Sequence, residues 1–245
     1  MRRSYDASLC PLWQIVIFQN HIDQPMQRIP EPELMLDPEQ AVAYAQADFE
    51  APHNQFIALF RERFPEPVTG DVLDLGCGPG DIAVRFARAF PGTFVDGVDG
   101  AAAMLEAGRE LVAASGVAHR LNLVQACLPQ DPAPKQAYPT IISNSLLHHL
   151  HVPGVMWEAV KRHAAPGARL FVMDLMRPAS EDEAARLVGL YAQDEPEVLR
   201  RDFYCSLCAA FTPAEVQGQL AGAGLAGLTV EAVSDRHLIV YGVLS

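Results

Sequence analysis

The chain has 245 residues, half of them hydrophobic, and a formal net charge of −12 at pH 7. A chain of this length and composition can bury one sizeable α/β core. An acidic surface repels a phosphate backbone, so an extended nucleic-acid partner is not expected, and no apolar run reaches the length that spans a membrane. The five cysteines show no regular spacing, which favours reduced thiols in a cytoplasmic protein.

The first 28 residues read poorly as part of a domain. Their apolar stretch, 9–18, is short, is interrupted by Pro11 and Gln14, and is followed by no small-residue cleavage site. We therefore expect a disordered leader over 1–28, with Met26 as a candidate natural start. A single domain is expected over 29–245.

The first part of this domain has a helical pattern. Asp37 and Pro38 suit the N-cap and the first turn of a helix that continues over 39–49. Pro52 is expected to break this helix, and a second helix is expected over about 54–64.

The stretch Val72–Gly80 has the most specific pattern in the chain. Mostly apolar, strand-like residues lead into three glycines at alternate positions, and an amphipathic helix is predicted to begin near Asp81. Glycine permits a sharp turn and lets a ligand approach bare backbone, while a helix N-terminus offers unpaired N–H groups. The stretch therefore predicts a strand, turn and helix that hold a ligand.

An acidic residue, Asp99, ends the next strand-like run. The tip of the second strand is where open α/β sheets hold ribose hydroxyls, and a carboxylate can accept both hydroxyl protons. The G-x-G-x-G spacing differs from the G-x-G-x-x-G fingerprint of dinucleotide-binding proteins. The two features together predict a nucleoside ligand and disfavour NAD.

With these features the sequence resembles the class I S-adenosylmethionine-dependent methyltransferases. Four segments carry the resemblance in the order of that family: Val72–Gly80, Gly97–Asp99, Ile141–Leu150 and Pro166–Asp174. Between them, strand-like and helix-like segments alternate, which predicts parallel strands joined by crossover helices, with one helix over 101–115.

The resemblance implies a Rossmann-like, three-layer, doubly wound α/β fold. Its seven-stranded sheet is mostly parallel and ends in an antiparallel C-terminal hairpin. The family's pattern also implies a helical lid, formed by segments at about 31–60 and 178–212.

The resemblance further implies S-adenosylmethionine as cofactor and S-adenosylhomocysteine as product. The residues expected to bind the cofactor are Tyr44, Asp74, Gly76, Cys77, Gly78, Gly80, Asp99, Gly100, Met104, Cys127, Leu128 and Asn144. Core packing is the alternative role for Tyr44 and Met104, and capping of the turn is the alternative for Asp74. Asn54 could also face the cofactor.

One position departs from the family's pattern. An acidic residue after the third strand usually meets the adenine amino group, but Ala126, Cys127 and Leu128 occupy that place here. Adenine recognition is thereby left to backbone groups near Cys127 and Leu128, or to Asp131.

Four residues are candidates for catalysis: His148, His149, Asp174 and Tyr204. Histidine titrates near neutrality and is a natural proton acceptor, although core packing or turn capping is the alternative for both histidines. Asp174 and Arg177 could bind the acceptor together, or could form a salt bridge with each other.

No metal site is expected. His151 adds a third histidine to the pair at 148 and 149, but no carboxylate or cysteine lies at matching spacing. Cys205 and Cys208 form a C-x-x-C pair, which is too few ligands for a structural zinc, and we interpret them as buried thiols in a helix.

We therefore predict in-line methyl transfer from S-adenosylmethionine to a small-molecule acceptor, by a monomer or homodimer. One alternative is a non-methylating enzyme that modifies the cofactor, in which Arg200 or Arg201 would meet a carboxyl group of the modified cofactor. A second alternative is a non-catalytic S-adenosylmethionine-binding subunit of a larger complex.

Overall fold

The computed structural model describes residues 26–31, 38–47 and 49–245. The strands are β1 (Thr69–Leu75), β2 (Gly92–Asp99), β3 (Leu121–Gln125), β4 (Tyr138–Asn144), β5 (Ala164–Leu175), β6 (Thr229–Ala232) and β7 (His237–Val243). The helices are α1 (Pro38–Gln46), α2 (Glu50–Arg63), α3 (Asp81–Ala89), α4 (Ala102–Ala107), α5 (Arg109–Ala114), α6 (Gly154–His163), α7 (Glu181–Tyr191), α8 (Glu197–Ala209) and α9 (Pro213–Gly222). The predicted N-cap Asp37 and most of the predicted leader lie outside the described residues.

The seven strands form one sheet in the order β3-β2-β1-β4-β5-β7-β6. Neighbouring strands from β3 to β5 pair in parallel, while β7 pairs antiparallel with both β5 and β6. The predicted fold class, a doubly wound sheet with an antiparallel C-terminal hairpin, is confirmed.

The central strands are buried on both faces, as their continuous apolar sequence requires. Successive side chains of a strand point to opposite faces, so Ile141 and Leu170 pack in one core cluster while Ile142 and Phe171 pack in another. The first cluster is covered by α6 and α9, and the second by α2 and α3. The sheet is thus the middle layer of three.

The predicted break at Pro52 is wrong. Pro52 lies in the first turn of α2, where the backbone N–H has no intrahelical partner and a proline is tolerated. Phe56 and Phe60 of this helix are fully buried and pack edge-on against Phe171 of β5. The apolar face of α2 therefore packs into the core, while Glu50 and His53 of the same helix line the cavity described below.

The single helix predicted over 101–115 is two helices, α4 and α5, which meet at Gly108. A Cβ atom at Gly108 would collide with the backbone of Pro79 in the glycine turn. Close packing of two backbones, rather than a helix-breaking motif, interrupts the helix here.

The C-terminal helices begin at local capping signals. The Ser180 side chain caps α7, and Thr212 and Glu215 form a capping box at the start of α9. No helix in the described part of the chain is long and apolar enough to cross a membrane.

Residues 26–31 form a strap along the domain. The Met26 N–H donates to the carbonyl of Ala179 at 3.3 Å, and the Ile29 N–H donates to the carbonyl of Cys208 at 3.0 Å. Residues 26–28, predicted to belong to the leader, therefore pack against the domain.

Candidate active site

A cavity of about 540 Å³ lies at the carboxyl ends of β1, β2 and β4. This is the edge at which open α/β sheets bind ligands. The residues predicted to bind a cofactor line this cavity, with the exception of Gly80. Residues 178–212 supply none of the cavity's lining residues, and their role as a lid stays a prediction.

The glycine turn forms one wall of the cavity. Gly76 and Gly78 have φ angles of 68° and 52°, which residues with a Cβ atom rarely adopt. The N–H groups of Gly76 and Cys77 both donate to the carbonyl of Val98, at 2.8 and 3.0 Å. A Cβ atom on Gly76 would lie 2.7 Å from a methyl group of Leu146, so the turn closes only with glycine there.

Gly80 stands apart from the cavity wall. It precedes α3 with a φ of 86°, and a Cβ atom there would lie 2.7 Å from Leu123 of β3. Its position indicates that it fits the turn to the neighbouring strand.

Asp99 ties the glycine turn to the next strand end. Its carboxylate accepts hydrogen bonds from the N–H groups of Gly78 and Ala101, both at 2.8 Å. Burial raises the pKa of Asp99, and these two bonds oppose the rise without cancelling it. The same carboxylate borders the cavity, so it can accept further hydrogen bonds from a ligand.

Asp74 is 1% exposed and borders the cavity. Its Oδ2 has no hydrogen-bond partner among the residues that the structure describes. Burial, and then the charge of Asp99, raise the pKa of Asp74 well above its usual value. A buried acceptor without a partner is costly, so this end of the cavity is suited to a cationic or hydrogen-bond-donating ligand group.

Three lining residues that sequence reasoning missed form a hydrogen-bonded network in the cavity wall. The Nδ1 of His53 lies 2.5 Å from Oδ2 of Asp81, and the Nε of Arg85 donates to the same oxygen at 2.6 Å. Burial alone would raise the pKa of Asp81, but these two partners hold it below its usual range. Asp81 was visible as the first residue after the glycine turn, whereas His53 lies on α2, whose position required the tertiary structure.

Tyr44 of α1 lines the cavity above α4. Its ring packs on Phe49 with centroids 4.8 Å apart. Burial and nearby carboxylates raise the pKa of Tyr44 to about 12, so its hydroxyl is neutral and available as a donor. Asn54 instead accepts a hydrogen bond from Arg85 at 2.7 Å and is not a lining residue.

The wall after β3 contains Cys127, Leu128 and Gln130. The Cys127 N–H donates to the Asp131 carboxylate at 2.9 Å, and Asp131 itself is exposed and outside the cavity wall. Asp131 therefore fixes the loop rather than offering a carboxylate to a ligand.

The segment after β4 forms the opposite wall. Asn144, Ser145 and His149 all line the cavity. Ser145 has a φ of 56°, rare for a residue other than glycine, and its hydroxyl oxygen accepts a hydrogen bond from the Asn144 amide at 3.2 Å. Ser145 was also missed, because the sequence does not indicate that this serine adopts a positive φ angle.

His148 and Asp174 form a buried pair behind this wall. Nδ1 of His148 lies 2.6 Å from Oδ1 of Asp174, and the two side chains are 3% and 2% exposed. Burial alone would lower the pKa of His148, but the Asp174 carboxylate outweighs it and the net direction is upward. Neither residue lines the cavity, so Asp174 positions His148 rather than contacting an acceptor.

Three expected placements are not observed. Arg177 pairs with Glu215 at 2.6 Å, not with Asp174. Tyr204 packs in the cluster between α7 and α8 and is not a lining residue, so the structure does not support a role for it as wall or base. Arg200 and Arg201 are exposed on α8, which does not favour their proposed contact with a modified cofactor.

Comparison with known proteins connects this geometry to a family. The family described as "Methyltransferase domain" matches residues 72–168. The ribosomal protein L11 methyltransferase of Xylella fastidiosa is 34% identical over 122 residues, which cover 50% of this chain and 37% of that protein. The trans-aconitate 2-methyltransferase of Variovorax paradoxus is 31% identical over 134 residues, which cover 55% of this chain and 49% of that protein. The matched region thus spans less than half the length of either relative.

A solved structure extends the similarity of fold beyond the matched region. A SAM-dependent methyltransferase from Aquifex aeolicus superposes with a TM-score of 0.63 at 18% identity, covering 85% of this chain and 99% of that one. The glycine turn, the strand order and these matches make the chain similar to the class I S-adenosylmethionine-dependent methyltransferases.

Proposed function

We propose that the protein transfers a methyl group from S-adenosylmethionine to a small-molecule acceptor. The observation that carries this proposal is the continuity of the cavity. One space joins the glycine turn, Asp74 and Asp99 to the segment from Asn144 to Leu150. A cofactor held at the first wall would therefore share the cavity with an acceptor at the second.

The residues of the first wall fit the cofactor. The unpartnered Oδ2 of Asp74 suits the amino group of its methionine part, and the remaining lone pairs of Asp99 suit the ribose hydroxyls. Gly76 and Gly78 keep the backbone bare where the cofactor passes. When bound, S-adenosylmethionine supplies an electrophilic methyl group on a positively charged sulfur.

The second wall holds the groups that could position an acceptor. His149 is half-buried and borders the cavity, so its imidazole is the candidate to hold an acceptor or receive its proton. Positioning alone can contribute roughly 7–11 kcal/mol to a bimolecular reaction. A base is therefore an addition to catalysis here, not a requirement.

The size of the cavity supports a small acceptor. A volume of about 540 Å³ is within the usual range for small-molecule sites, and the cofactor would occupy much of it. One matched relative is named for a small acid and the other for a ribosomal protein, so the acceptor class rests on the cavity and not on the relatives.

Calorimetric titration with S-adenosylhomocysteine tests the cofactor site. We expect Asp99→Ala to weaken binding about 100-fold, since a hydrogen bond to a charged group contributes about 1.5–3 kcal/mol. Asp182→Asn, an exposed aspartate on α7, is the matched control and should bind like the wild type. Equal affinity of the Asp99→Ala variant and the wild type would refute the site.

Release of S-adenosylhomocysteine in the presence of acceptor pools tests the reaction. Turnover with a low-molecular-mass fraction is expected. Turnover only with a protein fraction would overturn the acceptor class while leaving the cofactor site intact.

A further inference from the structure

We propose that Glu31, His148 and His149 form a binding site for a transition-metal dication of the Zn²⁺ class. The three side chains meet where the N-terminal strap crosses the segment after β4. The metal site stands on their geometry alone, while its suggested contact with an acceptor rests on the proposed function.

The distances among the three side chains are those of a metal site. Oε1 of Glu31 lies 3.2 Å from Nδ1 of His149 and 3.7 Å from Nε2 of His148. All three ligand atoms lie within 4.8 Å of one another. Tetrahedral zinc, with bonds of about 2.0–2.1 Å, separates its ligand atoms by about 3.3–3.4 Å. Two of the three separations already bracket this value.

A carboxylate behind His148 prepares it as a ligand. Asp174 accepts the Nδ1 proton of His148 in a 2.6 Å contact, which leaves the Nε2 lone pair directed away from Asp174, on the side of Glu31. Asp174 is itself held by the N–H groups of Leu147 and Leu175, both at 2.7 Å. Metal-binding histidines are typically oriented by such a carboxylate, which also raises the basicity of the ligating nitrogen.

Glu31 is held beside the histidines by the strap. The Arg28 guanidinium donates to the carbonyl groups of His148 and Leu150, at 2.7 and 3.1 Å, and stacks on the ring of Phe211. The Ser206 hydroxyl donates to Oε1 of Glu31 at 2.9 Å, which leaves further lone pairs on the carboxylate. The glutamate is therefore positioned before any ion arrives.

The donor types select the ion. Two imidazoles and one carboxylate suit Zn²⁺ and its neighbours Co²⁺ and Ni²⁺, whereas Mg²⁺ and Ca²⁺ prefer all-oxygen sites. No metal site was expected from the sequence, because no carboxylate lies near the histidines along the chain. The fold supplies one from the strap.

The site adjoins the acceptor end of the cavity. His149 is both a proposed ligand and a lining residue. Three protein ligands leave a fourth position of tetrahedral zinc open, as in catalytic zinc sites. With neutral histidines and an ionised Glu31, the site carries one net positive charge, which suits an acceptor that presents an oxygen atom. A metal bound there would coordinate that oxygen and lower its pKa.

Binding of Co²⁺ to the full chain, after treatment with a chelator, tests the proposal through visible absorption. We expect one Co²⁺ per chain with a four-coordinate spectrum, displaced by one equivalent of Zn²⁺. Glu31→Gln and His149→Ala should each weaken binding by at least about 10–100-fold. Exposed residues of the same types supply the controls, Glu66→Gln and His119→Ala, which should bind like the wild type.

Cooperative thermal unfolding of each variant shows that it is folded. Absence of Co²⁺ and Zn²⁺ binding to the wild type would overturn the proposal, as would binding that neither Glu31→Gln nor His149→Ala weakens. S-adenosylhomocysteine titration of the same wild-type sample separates the two proposals. Binding of S-adenosylhomocysteine without metal binding would overturn only the metal site. Metal binding without binding of S-adenosylhomocysteine would overturn only the proposed function.

Discussion

Asp74 and Asp174 occupy corresponding places near the carboxyl ends of two strands that both pair in parallel with β4. Each is the penultimate residue of its strand, β1 or β5, and they are 1% and 2% exposed. Asp174 accepts two backbone N–H groups and pairs with His148. Asp74 has an oxygen with no partner in the described chain. One aspartate is thus fully paired within the protein, while the other keeps an oxygen that we propose binds a ligand.

The same contrast extends to the walls around them. One wall of the cavity, the proposed cofactor wall, is made by short segments such as the glycine turn and Asp99, and the role of each residue there follows from its immediate neighbours. The opposite wall, the proposed acceptor wall, is the segment after β4, which is held by contacts with the strap, a distant part of the chain. Substitutions at these and neighbouring positions test the difference between the two aspartates and between the two walls.

The largest effect is expected for Asp174→Ala. Removing this carboxylate leaves His148 and two N–H groups buried without their partner, which costs about 3–5 kcal/mol in the free energy of unfolding. Urea unfolding monitored by circular dichroism measures the loss. A loss below about 1 kcal/mol would mean that Asp174 is not a structural part of the acceptor wall.

A pH effect of similar size is expected from His237, which pairs with Leu175 next to Asp174 in the β5–β7 register. Burial, and then the charge of Arg236, lower the pKa of His237 to about 4. Other charged groups that act on it are Asp174, Asp235 and His53, and its Nδ1 lies 3.2 Å from the Ser234 hydroxyl.

The folded-state pKa lies below the ordinary value of about 6.5, so the unfolded chain takes up the proton more readily. The stabilisation is therefore complete above about pH 6.5 and is lost as the pH falls towards 4, by up to about 3 kcal/mol. Unfolding of His237→Gln and of the wild type at several pH values measures the difference. The control His119→Gln, at an exposed position, should retain the wild-type pH dependence of stability. If His237→Gln also retains it, protonation of a buried His237 is not the cause of the loss of stability at low pH.

A smaller loss is expected for Gly108→Ala. The added methyl group would meet the Pro79 backbone and push α5 away from the glycine turn, at a cost of about 1–3 kcal/mol. The affinity for S-adenosylhomocysteine should fall with it. Gly218→Ala in α9 has open space around the new methyl group and should instead stabilise the helix slightly. If the Gly108→Ala variant binds S-adenosylhomocysteine as tightly as the wild type, the packing of Gly108 on Pro79 does not shape the proposed cofactor wall.

The smallest effect is expected for Asp74→Asn, with the opposite sign. Replacing a buried carboxylate that lacks a partner should raise the stability of the free protein by about 1 kcal/mol and weaken S-adenosylhomocysteine binding. Thermal unfolding and calorimetry on the same sample measure both. A loss of stability comparable to that of Asp174→Ala would contradict the distinction between the two aspartates.

Much of the fold could be predicted because its signals are local. The strand after Thr69, the helix after Gly80 and the capping box at Thr212 each depend on a few consecutive residues. The same holds for Asp99, which lies at the tip of a strand whose ends are apparent in the sequence. Predictions failed at Pro52 and Gly108, where position within a helix turn or contact with a distant backbone decides the outcome.

The acceptor wall was less accessible to sequence reasoning. Tyr204 and Arg201 were plausible by residue type, but α8 supports the strap instead of facing the cavity. Glu31 and His53 gave no signal, because their partners, His149 and Asp81, lie far away along the chain. Residue type alone does not report such contacts.

The sheet's central strands, the glycine turn and the resemblance to the methyltransferases were accessible from the sequence alone, because periodicity and glycine spacing act over a few residues. The pairing of Asp174 with His148 rather than Arg177, and the contact of Glu31 with the histidine pair, became apparent only in the folded protein. Ion pairs and ligand sets depend on distances of a few ångströms between atoms. Folding sets those distances independently of separation along the chain.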